Sequence, residues 1–337
     1  MASAGCVVES PEYITNGEVT FHFTSSAHTT SATYNVGTTQ TYAQVSGVQL
    51  EDDTTYSVYA TCTATNGTAV ESGTTTLTTP AQPSESWLEL PAEDTKGLYP
   101  NAVELKVKSG GERNYTAYYD KSTYTSMWTA YPLQKKHMGN LDRPAKWYFN
   151  TEIGEEYQVN LTDKSYEGDI YSRGHLIPNA SRNGIEEMQK QTFYVTNSVP
   201  QVQVKFNSGM WSTLEGALQT IAKGGETLYI VTGVAFEKVG ESKKVEYIQA
   251  KDDTKNIPIP NYFYKLVLKV TTNSSGVVTS ATTCGFWFEN KAYSGSVYAN
   301  HAVSVDQVEQ WTGFDFFANL PDTIEAAAEA NASWSNF

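Results

Sequence analysis

Lysine and arginine are missing from the first 80 residues, which carry seven acidic groups: Glu9, Glu12, Glu18, Glu51, Asp52, Asp53 and Glu71. Acidic bulk of this kind repels a phosphate backbone, and the sequence leaves the partner of this stretch unassigned. Cysteine is scarce too. Cys6, Cys62 and Cys284 allow at most one disulfide, for which Cys6 and Cys62 are the pair within one domain, and no spacing suits a zinc site. Cys284, in the apolar run TTCGFWF, reads as a small packed hydrophobe. No stretch approaches the ~20 apolar residues of a membrane-spanning helix. Internal repeats and low-complexity tracts are also absent, which sets aside solenoids and linker-like chains.

What is present changes character near residue 80, and 337 residues suit two domains. Residues 1–80 alternate apolar and polar in EVTFHF, TYSVYATCTAT and TTTLTT, with Asn-Gly and Gly-Thr turns between. That pattern predicts an all-β sandwich. AQPSES at 81–86 reads as a short stiffened linker. Residues 87–337 mix both element types. GETLYIVTGVAF predicts a buried strand, and NYFYKLVLKVTT with GVVTSATTCGFWF predicts a hairpin around Asn-Ser-Ser-Gly. Ser304 with Gln307, and Asp322 with Glu325, have capping-box spacing. The expected class is α+β, with a largely antiparallel central sheet.

The chemistry concentrates in SRGHLIPNASRNGIEEMQKQTFYVTNSVPQVQVKFNSGMWSTLE, residues 172–215. A histidine is largely neutral near pH 7, so His175 can take a proton from water attacking phosphorus. Arg173 offers a planar fork of donors to phosphate oxygens, and Gly174 between them removes a Cβ that would hold a substrate backbone away. From Asn207 onward, Trp211, Leu214, Leu218 and Ile221 form one apolar stripe, which predicts a helix ended by Gly224-Gly225. On an ideal helix Asn207 and Glu215 stand about 80° and about 12 Å apart. One ion cannot then bind both directly. The Asn207 amide oxygen suits magnesium, and Glu215 acts through one of the ion's waters. Asn197 lies in Thr-Asn-Ser-Val-Pro, where turn chemistry alone explains an asparagine. Arg182 and Lys205 are near enough in sequence to touch flanking phosphates.

SRGHLIPNASR, FYVTNSVPQ and FNSGMWSTLE resemble the DNA/RNA non-specific endonuclease family, the endonuclease G-like nucleases with a ββα-metal motif. RNYTAYYDKSTYTSMWTAYPL, IPNYFYKLVL and VSVDQVEQWTGFDFFANLP resemble its flanking segments in the same order, so the resemblance covers residues 86–337. It implies sugar-non-specific cleavage of DNA and RNA with magnesium, or manganese or another divalent ion in its place, leaving 5′-phosphate ends. It also implies roles: His175 the base, Asn207 the direct metal ligand, Glu215 a water-mediated carboxylate, Arg173 a phosphate contact and Asn197 a site-organising amide. The family usually has aspartate before Arg-Gly-His. Here the position is Ser172, which can only hydrogen-bond, and that puts rate and metal preference in question. VQLEDDTTYSVYATCTATNGTAVESGTTTLTT resembles the latter half of a fibronectin type III domain.

Net charge is −14, seven units from residues 1–80 and seven from the remainder, where 30 acidic residues face 23 basic ones. Residues 106–205 differ, holding 13 basic against 11 acidic residues, so a positive cleft on an acidic body is expected. Binding would be weak, salt-sensitive and sequence-blind. Acids gather late, at Glu309, Asp315, Asp322, Glu325 and Glu329, away from the site in sequence. Ser-Ala-Gly-Cys near the start is loosely like a lipoprotein cleavage box, although no apolar signal segment accompanies it. With the cation-free sandwich this suggests an exported bacterial protein, periplasmic, cell-surface or extracellular. Two other readings stay open from sequence: a catalytically impaired nuclease fold that only binds nucleic acid, permitted by Ser172, and an adhesive or carbohydrate-binding sandwich.

Overall fold

A computed structural model of the protein describes every residue except 1, 27–28, 49, 51–54, 79–86, 275 and 296, so the linker expected at 81–86 lies outside the described residues. The chain divides into two compact units, Met1–Ser86 and Trp87–Phe337. In the first, Ala2–Val7 pairs antiparallel with Tyr42–Val48. A second sheet orders Thr29–Asn35, Glu18–Thr24, Thr55–Thr63 and Ala69–Glu71, with Thr75–Thr78 also paired to Thr55–Thr63. Period-two alternation buries Val19, Phe21 and Phe23, which pack with Tyr56 and Val58 of their own sheet and with Ala43, Val45 and Val48 of the other. The two sheets thus enclose one apolar core. Cys6 and Cys62 are free thiols, so the bridge considered from sequence is not formed.

The second unit is built on a seven-stranded sheet in the order Ala302–Val303, Val278–Glu289, Tyr262–Thr272, Leu228–Ala235, Thr125–Leu133, Glu112–Asp120, Ala102–Ser109. Every neighbouring pair is antiparallel. Leu228–Ala235 and Thr125–Leu133 are buried along their whole length, as the continuous apolar run at 228–235 predicted. Ser304 caps its helix, its Oγ accepting from Gln307 N at 3.2 Å. The second capping box does not form. Pro321, fixed in an extended conformation, takes the cap position, Asp322 becomes the first helical residue, and Pro321 O accepts from the N–H groups of Ile324 and Glu325.

The helix expected from Asn207 begins five residues later. Gln203–Trp211 is an irregular, wide-turned segment containing non-helical Val204, Lys205 and Ser208, and the regular helix is Ser212–Lys223. Hydroxyls drive the irregularity by bonding to backbone carbonyls: Ser208 Oγ donates to Gln203 O at 2.8 Å, and Thr213 Oγ1 to Gly209 O at 2.8 Å. Trp211, Leu214, Leu218 and Ala222 then pack into the core that the sheet supplies through Ile230, Val231 and Phe263. This seats the start of the helix beside the 171–175 strand.

Candidate active site

Tyr171–His175 and Ser198–Val202 form a two-stranded antiparallel ribbon, with His175 opposite Ser198 and Arg173 opposite Pro200. The irregular segment and the 212–223 helix follow directly, giving a strand–strand–helix unit. Residues 176–197 form the long connection between its strands. Gly174 serves this unit rather than the substrate. A Cβ there would lie 2.6 Å from the Gln201 Cβ and 3.1 Å from Val199 O on the facing strand. The expectation that it clears a path for substrate is therefore corrected: glycine lets the two strands close.

One open pocket of about 520 Å³ gathers Ser172, Arg173, His175, Asn207 and Glu215, together with Arg143 and Trp147. His175 sits between the rings of Trp147 and Phe193, with centroids 4.5 and 4.9 Å away. Burial, then the positive charges of Arg143 and Arg173, push its pKa from 6.5 down to about 3, although a backbone hydrogen bond with Arg173 opposes the shift. The ring is neutral at pH 7. Its Nε2 is buried without a hydrogen-bond partner among the described residues. Arg173 is held in place by Nη1 donating to Leu161 O at 2.6 Å and by the Trp147 ring 5.2 Å from its guanidinium carbon.

Asn207 uses its amide N–H groups within the protein, donating to Ser172 Oγ at 2.9 Å and to Gln203 Oε1 at 3.0 Å. Its Oδ1 is left without a protein donor among the described residues. Glu215 lies against a buried lysine, with Oε1 3.9 Å from Lys265 Nζ. Burial raises the Glu215 pKa and lowers that of Lys265, and their mutual attraction opposes both shifts. Glu215 Oε1 has no hydrogen-bond partner of good geometry among the described residues, and the Trp211 indole beside it favours the charged form. Two hard oxygens thus border the same pocket, one neutral and one acidic, and the ideal-helix separation expected between them is replaced by the irregular turn.

The DNA/RNA non-specific endonuclease family model matches residues 101–323. The chain belongs to the DNA/RNA non-specific endonuclease family. It is similar to a nuclease of Nostoc sp., 26% identical over 65% of this chain and 76% of that one. A nuclease of Syncephalastrum racemosum is 30% identical over 51% and 54% of the respective chains, and the mitochondrial endonuclease G of Caenorhabditis elegans 27% over 68% and 73%. A solved structure of an endonuclease G–inhibitor complex shares the fold, with a TM-score of 0.54 and 22% identity over 65% of this chain and 88% of that one. Membership makes the chain an endonuclease of a metal-dependent family, with nucleic acid as substrate. The donor set fits a hard divalent cation: the free Asn207 Oδ1 would hold it directly and Glu215 through water.

Three of the expected site residues do not line the pocket, and of these Asn197 keeps the organising place expected of it. Asn197 is fully buried and spends its side chain on the backbone, accepting from Ile177 N and donating to Ile177 O and Thr192 O. It fixes the chain two residues beyond His175 and does not line the pocket. Arg182, expected at a phosphate, is completely buried and structural. Its Nε donates to Asn114 Oδ1 at 2.6 Å, its Nη2 to Asn114 O and Pro132 O, and its Nη1 to Ser181 O. Burial with so many carbonyl partners closes it to substrate. Lys205 is exposed at φ 65° and is not among the pocket's lining residues.

Two residues went unrecognised in the sequence. Arg143 lines the pocket, stacks over Phe193 at 4.9 Å, and has its pKa lowered by burial alone. Its Asp-Arg-Pro context is an ordinary loop and gave no signal. Lys265 did carry one: a single cation inside the apolar run YFYKLVL demands a buried partner, and Glu215 is the carboxylate that meets it.

Proposed function

We propose that the protein is a magnesium-dependent, sugar-non-specific endonuclease that cuts DNA and RNA to 5′-phosphate ends with His175 as general base. The observation that carries this reading is a neutral His175 ring lining a pocket shared with Arg143, Arg173 and the free Asn207 Oδ1. The neutral His175 ring accepts the proton of the attacking water, the water oxygen bonds to phosphorus, and the bond from phosphorus to O3′ breaks. The phosphate stays on the 5′ side of the downstream fragment. Arg173, braced by Leu161 O and Trp147, and Arg143 hold the non-bridging oxygens. When bound, the divalent ion supplies neutralisation of the developing charge and stabilises the departing oxygen. The cation-free first 80 residues support an exported enzyme, and we place it outside the cytoplasm.

The test is digestion of plasmid and of single-stranded RNA in magnesium, with and without chelator, followed by phosphatase-dependent 5′-end labelling. Cleavage of both polymers, abolished by chelator, with ends that label only after phosphatase, is expected. Binding without cleavage would replace this reading with that of an inert nucleic-acid binder. Ends that label without phosphatase treatment would reverse the assigned bond scission.

A further inference from the structure

The late acidic residues, far from the nuclease pocket in sequence, converge in space. Asp306 and Glu309 lie on one face of the Val305–Thr312 helix at i, i+3 spacing, and Glu329 ends the Asp322–Glu329 helix. One carboxylate oxygen from each of the three falls within 4.8 Å of the other two. Glu329 is only 4% exposed, and its Oε1 is buried with no hydrogen-bond partner among the described residues. Glu309 commits Oε1 to Phe316 N at 2.7 Å, which leaves its other oxygen for a cation.

A buried anion facing two more carboxylates is unfavourable unless a proton or a cation joins them. No lysine or arginine among the described residues forms an ion pair with any of the three. Asp306 is exposed and Glu309 half-buried, so an ion can enter from solvent. We propose that Asp306, Glu309 and Glu329 form a structural calcium site that pins the 322–329 helix to the 305–312 helix. Carboxylates filling the site leave less room for the waters that magnesium retains, which favours calcium. This site is separate from Asn207 and Glu215 and stands whether or not the proposed nuclease chemistry holds.

The measurement is thermal unfolding of the full chain at pH 7.5, in an Asn207→Ala background that weakens metal binding at the nuclease pocket. Millimolar calcium should raise Tm by about 5 °C, and equilibrium dialysis should count one ion per chain. In the same background, Glu329→Gln should abolish the calcium response. Asp306→Asn, at an exposed position that threatens folding least, should weaken that response at least tenfold in half-saturating concentration. With Asn207 intact, Glu329→Gln should digest plasmid in magnesium at the parental rate. Absence of any calcium-dependent rise, an equal rise in Glu329→Gln and Asp306→Asn, or a rise from magnesium as large as that from calcium would overturn the proposal.

Discussion

His175 combines two properties that a general base needs and one that costs it strength. It is neutral and it lines the pocket, yet the two arginines beside it also depress its basicity. A bound phosphate cancels part of that field, so the ring should gain basicity when substrate arrives. His175→Ala is expected to lower kcat by roughly 10² to 10⁴, with circular dichroism unchanged. In the free enzyme the His175 imidazole should show no NMR titration above pH 5, and Arg143→Ala, which removes one of the depressing charges, should move its pKa upward. The sign for stability follows. Folding favours the uncharged ring, so its contribution is complete above the ordinary 6.5 and drains as pH falls toward about 3. The Tm of the parent relative to His175→Ala should decline across that window; a constant difference would show that the ring is not buried in its neutral form. Ser172 also gains a role. It accepts a hydrogen bond from the Asn207 amide and so turns Oδ1 toward the pocket. Ser172→Ala should raise the magnesium needed for half-maximal rate by about 10-fold or more, while Ser172→Asp, which keeps an acceptor and adds charge, should lower it. A magnesium titration on the three proteins checks both.

Elements decide which of these residues meet. The two-stranded ribbon and the helix after it were foreshadowed by the order of the motifs, because His175, Asn207 and Glu215 lie on successive parts of one supersecondary unit. The irregular turn at 203–211 was not legible. Its cause is a set of hydroxyl-to-carbonyl bonds and a positive φ at Lys205, which apolar periodicity does not register. Arg182 was misread for a related reason: its charge is visible in sequence, whereas the Asn114 and Pro132 carbonyls that consume it come from distant strands. Arg182 ties the long connection between the ribbon strands to the central sheet. Arg182→Gln should therefore cost about 2–4 kcal/mol of stability by stranding those acceptors, and leave KM for plasmid near parental at a temperature where the variant stays folded. Denaturant unfolding together with KM separates the two roles; a raised KM at full stability would return Arg182 to the substrate.

For the molecule as a whole, a net charge of −14 and a pocket with the two arginines proposed to hold phosphate should give weak, fast-releasing binding. About two neutralised phosphates correspond to a slope near −2 in log affinity against log salt, and Arg173→Ala should reduce that slope by about one. The division into a cation-free sandwich and a mixed second unit was legible because composition changes at the boundary; the pairing of Glu215 with Lys265 was not, because it joins residues 50 positions apart in different elements. A neutral His175 is proposed to drive metal-dependent hydrolysis of both nucleic acids in one pocket. Single-turnover cleavage of plasmid and of single-stranded RNA by the parent and by His175→Ala, in magnesium and in chelator, addresses it directly. The parent should cut both substrates in magnesium alone, and the variant should lose both activities by the same factor, at least about 10². Equal rates in parent and variant, or loss of one substrate with the other untouched, would contradict it.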